Sequence, residues 1–436
     1  MRPPPEVHVV DPPHSAYPQR PLVPTLLYDA GQYGTLAAVR CLGRAGVPVT
    51  VAGPRRFVPA AQSRFATRWL AAPAGDDPER LLEWLLAFGK AEPGYYLPPS
   101  SDDLAWLLAE RRDALSQYFV LERHTPAVIR RLLDKRELID TCAAAGIAVP
   151  CTYFPRDRGD VERIAREQRG PVVLKPRTQV LHRFQGKGRY IASPADLPVG
   201  YDAYMATNHF HPWIVAWTPD IGQPMVQEFH ASAAGGIYSV AGFASVDGTV
   251  TSLASRKILQ RPRRLGIGLC FESAELKPQI DAALARLCRL LGYVGIFEAE
   301  FVEIGDELLL IDFNPRYYSQ MQFEIDRGLL LPLLAYQLAV MAPTLPPSPA
   351  RDEAPRGYVH EYLFALLLRG WQLTGQMSAE ESNRWRAWRR KFSPGAVSFA
   401  ARDEDDTRPM LIDRINITMH LLKHPRANAR WLLFER

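Results

Sequence analysis

The chain has 436 residues, 47% of them hydrophobic and 23% charged, which excludes a mostly disordered or fibrous protein. At roughly 150 residues per domain, the length suggests about three domains or two large ones. Basic and acidic residues number 52 and 47, and a net charge of +5 on so large a surface favours neither nucleic acid nor an anionic membrane as partner.

The segment 1–24 holds eight prolines and no apolar h-region, so it reads as a disordered tail and not as a signal peptide. Thr25–Tyr28 is a short strand, 35–45 a helix with Leu36, Val39 and Leu42 at helical spacing, and 47–51 a second buried strand. Together they form a βαβ unit and open the chain with a parallel α/β layer. Gly31 and Gly34 serve either the turn alone or a phosphate at the helix N-terminus. A dinucleotide fingerprint needs a third glycine, which weighs against an NAD-dependent reductase. A helix at 78–88, a strand at 95–98 and a helix at 102–114 continue the pattern.

From Thr125 the pattern changes to a helix pair, a strand at 171–176, and a polar loop at 177–188. A strand around PMVQEFH follows, then a hairpin about Asp247–Gly248 and a helix at 273–291. The apolar stretch 329–341 contains Pro332 and is too short to span a bilayer, so it reads as a core helix. A proline-rich linker at 342–355 precedes a mainly helical region, 356–436. Within it, WRAWRRKF reads as the solvated face of an amphipathic helix, and the earlier NHFHP pair, His209 and His211, as structural. Five cysteines, at 41, 142, 151, 270 and 288, form no CxxC pair, which points to free thiols and a cytoplasmic location.

The stretch GIFEAEFVEIGDELLLIDFNPR is the most informative. By strand alternation Ile296, Glu298, Glu300 and Val302 share one face, and Leu308, Leu310, Asp312 and Asn314 share another. With an odd number of residues in the connecting loop, Glu300 stands opposite Asp312 and Glu298 opposite Asn314. Facing carboxylates repel unless a cation lies between them. Two carboxylates and an amide oxygen suit Mg²⁺, or Mn²⁺, bridging phosphates. Glu298 and Glu303 also read as ordinary surface acids. Asp312 follows four aliphatics, and a buried carboxylate needs a partner. Either a metal with a phosphate-binding Arg316, or a structural Asp312–Arg316 pair, would satisfy it.

Only eight of the basic residues are lysine, and four stand where phosphate chemistry wants a point charge. Lys135 opens a helix in LLDKREL, Lys175 ends the strand VVLKP, Lys187 lies between two glycines, and Lys257 follows Arg256 on a strand. The order D-K, hydrophobic-K-P, V-Q-E-F, R-K, G-x4-E-F and D-x-N-P-R resembles the ATP-grasp superfamily over roughly residues 23–345. The pattern is most similar to bacterial carboxylate–amine ligases of the D-aspartate-ligase-like kind.

That resemblance implies an α/β and α+β architecture. A pre-ATP-grasp parallel α/β domain would span 25–124, a two-lobed ATP-grasp domain 125–341, and a helical extension the C-terminal region. It implies that Lys135 and Lys175 contact the α- and β-phosphates of ATP, with Lys187 in a lid over the triphosphate. Gln227 would meet the adenine amine, the backbone of Glu228 and His230 would read the adenine edge, and Phe229 would point into the adjacent core. Glu300, Asp312 and Asn314 would hold one or two Mg²⁺, and Arg256 and Arg316 would stabilise the transferred phosphate and an acyl-phosphate. The implied partners are a small-molecule carboxylate and an amine, with neither nucleic acid nor membrane, in a homodimer. Two departures stand out. Asp312 replaces the more usual glutamate, and HASAAGG offers no ribose-binding acid. They leave open a catalytically weak or inactive nucleotide-binding protein on the same fold.

Overall fold

The computed structural model describes residues 22–182, 188–234, 236–261, 265–341, 354–393 and 395–424. Most of the expected tail and linker, together with Lys187, lies outside the described residues.

The first sheet comprises β1 (Thr25–Tyr28), β2 (Val49–Gly53), β3 (Arg68–Ala71), β4 (Tyr95–Tyr96) and β5 (Phe119–Val120). All its pairings are parallel, in the order β3-β2-β1-β4-β5. β1 and β2 are buried throughout, as a parallel sheet covered by helices requires. The strand order reverses between β1 and β4, which leaves a crevice at their carboxyl ends. The helix Tyr33–Arg44 and the helix Asp102–Glu110 both start there. The latter stops short of the expected 114 and is followed by a separate turn, Arg112–Leu115. The left-handed turn residue after β1 is Asp29 (φ 60°), not a glycine. Gly34 is required for close approach: a Cβ there would lie 2.7 Å from the Tyr318 carbonyl oxygen.

The second sheet is small and antiparallel. Its strands are β6 (Thr152–Tyr153), β7 (Val172–Lys175), β8 (Arg189–Ile191) and β9 (Met225–Glu228), in the order β6-β9-β7-β8. Val172, Leu174 and Val226 turn to the helices Arg158–Glu167 and Leu197–Met205, where they meet Val161, Ile164 and Tyr204. Alternation leaves Lys175 and Gln227 on the other face.

The third sheet has seven strands: β10 (Ile237–Ala244), β11 (Val250–Arg261), β12 (Ile267–Ala274), β13 (Gly295–Ile304), β14 (Glu307–Asn314), β15 (Gly357–Val359) and β16 (Val397–Phe399). They run in the order β14-β13-β10-β11-β12-β15-β16. The expected hairpin joins β10 to β11, with Gly248 at φ 81°. The helix expected at 273–291 begins only at Pro278, because residues 273 and 274 complete β12. One sheet face carries Phe297, Ala299 and Phe301 against Leu284 and Leu287 of the helix Pro278–Leu291. The other carries Ala241, Phe243 and Ile296 towards the helix Leu331–Val340 and the first domain.

The C-terminal region is mainly helical, with Glu361–Leu373, Ala379–Arg390 and Arg408–Lys423, but it also adds β15 and β16 to the large sheet. Trp385 of WRAWRRKF packs inward with Phe364 and Trp371, while Arg384, Arg386, Arg389 and Arg390 stay exposed. The region is fastened to the first domain by an ion pair between Arg40 and Asp406, each 1% exposed, at 3.0 Å. Among the described residues no helix is long and apolar enough to cross a membrane.

Candidate functional site

A cleft of ≈ 530 Å³ lies where the three sheets meet, within the usual range for a small-molecule site. It is lined by Lys135, Lys175, Gln227, Glu228, Phe229, His230, Glu300, Asp312, Asn314 and Arg316, and also by Lys257, Glu298, Asp102 and Asp103.

The carboxylate hairpin supplies its floor. Only Gly305 and Asp306 separate β13 from β14, so the loop is even and does not by itself meet the condition for the facing. The register starts with Ile304 opposite Glu307 and reaches Phe301 opposite Leu310. It then shifts, so that Glu300 faces Asp312 and Glu298 faces Asn314. Ile311 is the inserted residue of a β-bulge. Leu308 and Leu310 therefore do not share a face with Asp312, as simple alternation had them. They lie in the core with Phe301 and Phe313.

Each facing carboxylate carries a lysine: Lys257 Nζ donates to Glu300, and Lys135 Nζ to Asp312. The Glu300–Lys257 pair is buried, with 9% and 3% of the side chains exposed. Glu298, read from sequence as a surface acid, is 2% exposed and bonded on both oxygens. It accepts from Ser239 Oγ at 2.7 Å, Asn314 Nδ2 at 2.6 Å and Gln320 Nε2 at 2.9 Å. Burial first, and then the charge of Glu300, hold its pKa above the ordinary carboxylate value. Arg316 donates to Asp102 at 2.7 Å and to the Asn314 side-chain oxygen, Oδ1, at 2.9 Å, so its carboxylate partner is Asp102 and not Asp312. Asp103 accepts the Leu181 N–H at 2.7 Å, and burial pushes its pKa up to about 6.

Lys135 is placed by the start of its helix, Lys135–Ala145. Asp134 caps that helix through the Arg136 N–H at 3.0 Å and is itself ion-paired, fully buried, to Arg177. The Lys135 N–H donates to the Arg177 carbonyl at 2.9 Å. Across the cleft, Lys175 Nζ donates to Gln227 Oε1 at 3.0 Å, and Gln227 Nε2 donates to Thr152 Oγ1 at 3.0 Å, so both ends of the amide that the resemblance turned to the adenine amine are engaged within the protein. The Glu228 N–H is taken by the Cys151 carbonyl at 2.9 Å. Phe229 is half-buried on the cleft wall, edge-on to Tyr190 at 4.8 Å, and not in the adjacent core as expected.

Arg256 does not reach the cleft. On β11 Ala254 and Arg256 face the helix Pro278–Leu291, and Arg256 donates to Glu303 at 2.8 Å. Lys277 at 2.9 Å completes that pair, and Lys277 and then Arg256 hold the Glu303 carboxyl below its usual pKa. The adjacent Lys257 takes the cleft-facing place. Strand parity was the signal that separates the two, since Lys257 shares the cleft side with Leu253. Asp102 and Asp103 carried no sequence signal beyond a favourable charge at a helix start. Among the described residues no group of three or more His, Cys, Asp or Glu side chains forms a metal cage.

No protein-family model matches the chain, and no curated protein does. Solved structures do. The L-amino acid ligase from Bacillus licheniformis superposes with a TM-score of 0.61 at 14% identity, over 78% of this chain and 80% of that one. An N5-carboxyaminoimidazole ribonucleotide synthetase, solved with ADP, gives 0.60 at 14% identity over 93% and 98%. The biotin carboxylase domain of Hydrogenobacter thermophilus 2-oxoglutarate carboxylase, solved as a dimer with MgADP, ADP and bicarbonate, gives 0.60 at 15% identity over 77% and 74%. A small antiparallel sheet and a large, mainly antiparallel one closing on one cleft behind a parallel domain, with this likeness over most of the chain, mean that the protein has the ATP-grasp fold.

Proposed function

We propose that this chain is an ATP-dependent ligase that activates a small-molecule carboxylate as an acyl-phosphate and joins it to an amine, releasing ADP and phosphate. One observation carries the reading. Three lysines and an arginine, from four separate segments, converge on a sheet face that presents Glu300, Asp312 and Asn314. Three solved neighbours bear on it, two of them with ADP and one of them an amino acid ligase.

The residues fit a divalent cation carried in with the nucleotide. Both facing carboxylates already draw an ammonium, so the position favours positive charge. Two carboxylates and one amide oxygen leave much of an octahedral shell to phosphate oxygens and water, as Mg²⁺ prefers. Bound there, Mg²⁺ would neutralise charge on the phosphates. Lys135, Lys175 and Lys257 bind phosphate oxygens as point charges. Arg316, oriented by Asp102, supplies its positive charge and a remaining N–H for the transferring group and the acyl-phosphate. The half-buried wall formed by Glu228, Phe229 and His230 holds the base, through the Glu228 carbonyl and the His230 N–H.

Two measurements test this. ADP release is assayed with a panel of carboxylates and amines, and is expected only when one of each is present. Thermal unfolding is followed with Mg-ADP and with NAD, and Mg-ADP alone is expected to stabilise. Stabilisation by NAD with none by adenine nucleotides overturns the reading.

A further inference from the structure

The side chains of Lys175, Gln227 and Thr152 form a chain of hydrogen bonds whose direction is fixed by their chemistry. An ammonium has donors only, so Gln227 must turn its carbonyl oxygen to Lys175, at 3.0 Å. Its NH₂ then faces Thr152 Oγ1, at 3.0 Å, and needs an acceptor there. The Thr152 hydroxyl provides one because its own hydrogen is committed to the Pro150 carbonyl, at 2.7 Å. Gln227 is 3% exposed, so water cannot readily replace a lost partner. Strand pairing holds the set in place, with Thr152 opposite Gln227 and Lys175 opposite Met225.

We propose that Thr152 is a positioning residue for Lys175, acting through the side-chain amide of Gln227, and that it thereby sets affinity for the nucleotide's phosphates. The second half rests on the ligase reading above. Without the Thr152 acceptor, the buried NH₂ loses the bond that fixes the amide plane, and the carbonyl oxygen is no longer held on the line to the ammonium. Lys175 would then be held less firmly.

Thr152→Val keeps the shape and removes the acceptor, whereas Thr152→Ser keeps the hydroxyl. In the full-length protein, competitive acetylation with acetic anhydride, read by mass spectrometry, reports each lysine without any nucleotide. Lys175 is expected to react about 3- to 10-fold faster in Thr152→Val and at the wild-type rate in Thr152→Ser, with Lys135 unchanged in both. In titrations, Thr152→Val should weaken Mg-ADP binding by a similar factor and leave adenosine binding as in wild type. Equal Lys175 rates in wild type and Thr152→Val overturn the relay, as does equal impairment of the two variants. An adenosine loss as large as the Mg-ADP loss overturns the phosphate role. If wild type binds no Mg-ADP while the Lys175 rates still separate, the ligase reading falls and the relay stands.

Discussion

The two walls of the cleft solve different problems. On and beside the large sheet, charge meets charge: Lys257 donates to the buried Glu300, Lys135 to the half-buried Asp312 and Arg316 to Asp102, while the buried Glu298 takes three neutral donors. On the small sheet Lys175, Glu228, Phe229 and His230 are half-buried, and Lys175 donates to the neutral amide of Gln227. A wall of matched charges is pre-organised and needs little rearrangement to meet phosphate. A wall of half-buried side chains and strand edge adapts to a flat base. The contrast teaches that substitutions on the first wall should damage chemistry and stability together, and substitutions on the second should damage binding alone.

The sharpest way to break this contrast is at the facing carboxylates. Asp312→Asn and Asn314→Ala should each lower ADP release about 10²-fold or more while circular dichroism stays native. Near-normal turnover in either variant would remove the large sheet from the chemistry. Next in size is Lys257→Met, which takes its ammonium from Glu300, at 9% side-chain exposure. Urea unfolding should show a loss of about 3–5 kcal/mol, whereas Lys175→Met on the other wall should cost less than about 1 kcal/mol. Equal losses would erase the distinction between the walls.

A pH experiment probes the large-sheet side further. Glu324, 1% exposed and bonded by the Tyr318 hydroxyl at 2.7 Å, has its pKa pushed up to about 8 by burial. The folded state therefore keeps a proton that the unfolded chain has released, and stability falls as pH rises from the ordinary glutamate value of 4.5 towards 8. Glu324→Gln should flatten that slope, and an unchanged slope would assign it to other groups. The smallest effect is expected at Arg256, whose pair with Glu303 is about a third exposed on the arginine side. Arg256→Ala should change stability by less than about 1 kcal/mol and leave ADP release intact. A large fall in turnover would return Arg256 to the site.

Much of the architecture was legible because periodicity reports burial. The opening βαβ unit, the hairpin at Gly248 and the strand ending at Lys175 are all local patterns. What escaped was long-range. β15 and β16 have three residues each and become strands only because β12 offers β15 an edge and β15 in turn offers one to β16. Expecting both Arg256 and Lys257 at the phosphates overlooked parity, since strand neighbours face opposite ways, and β11 also shifts register against β12. Glu298 looked like a surface acid because its partners Ser239 and Gln320 lie 59 and 22 residues away.

The bulge at Ile311 has a genetic consequence. The two-residue tip of the hairpin sets the register and the bulge shifts it, so the site's alignment depends on a count of residues as well as on their identities. Loss of the single codon for Ile311 would remove the bulge and leave Asp312 opposite Glu300 and Asn314 opposite Glu298 by plain alternation, with Phe313 still in the core. Loss of the codon for Phe313 would leave no such regular solution, because Asp312 and Asn314 would then be neighbours and fall on opposite faces. The hairpin thus carries one residue more than its facing needs, and only at that position is a length change spared.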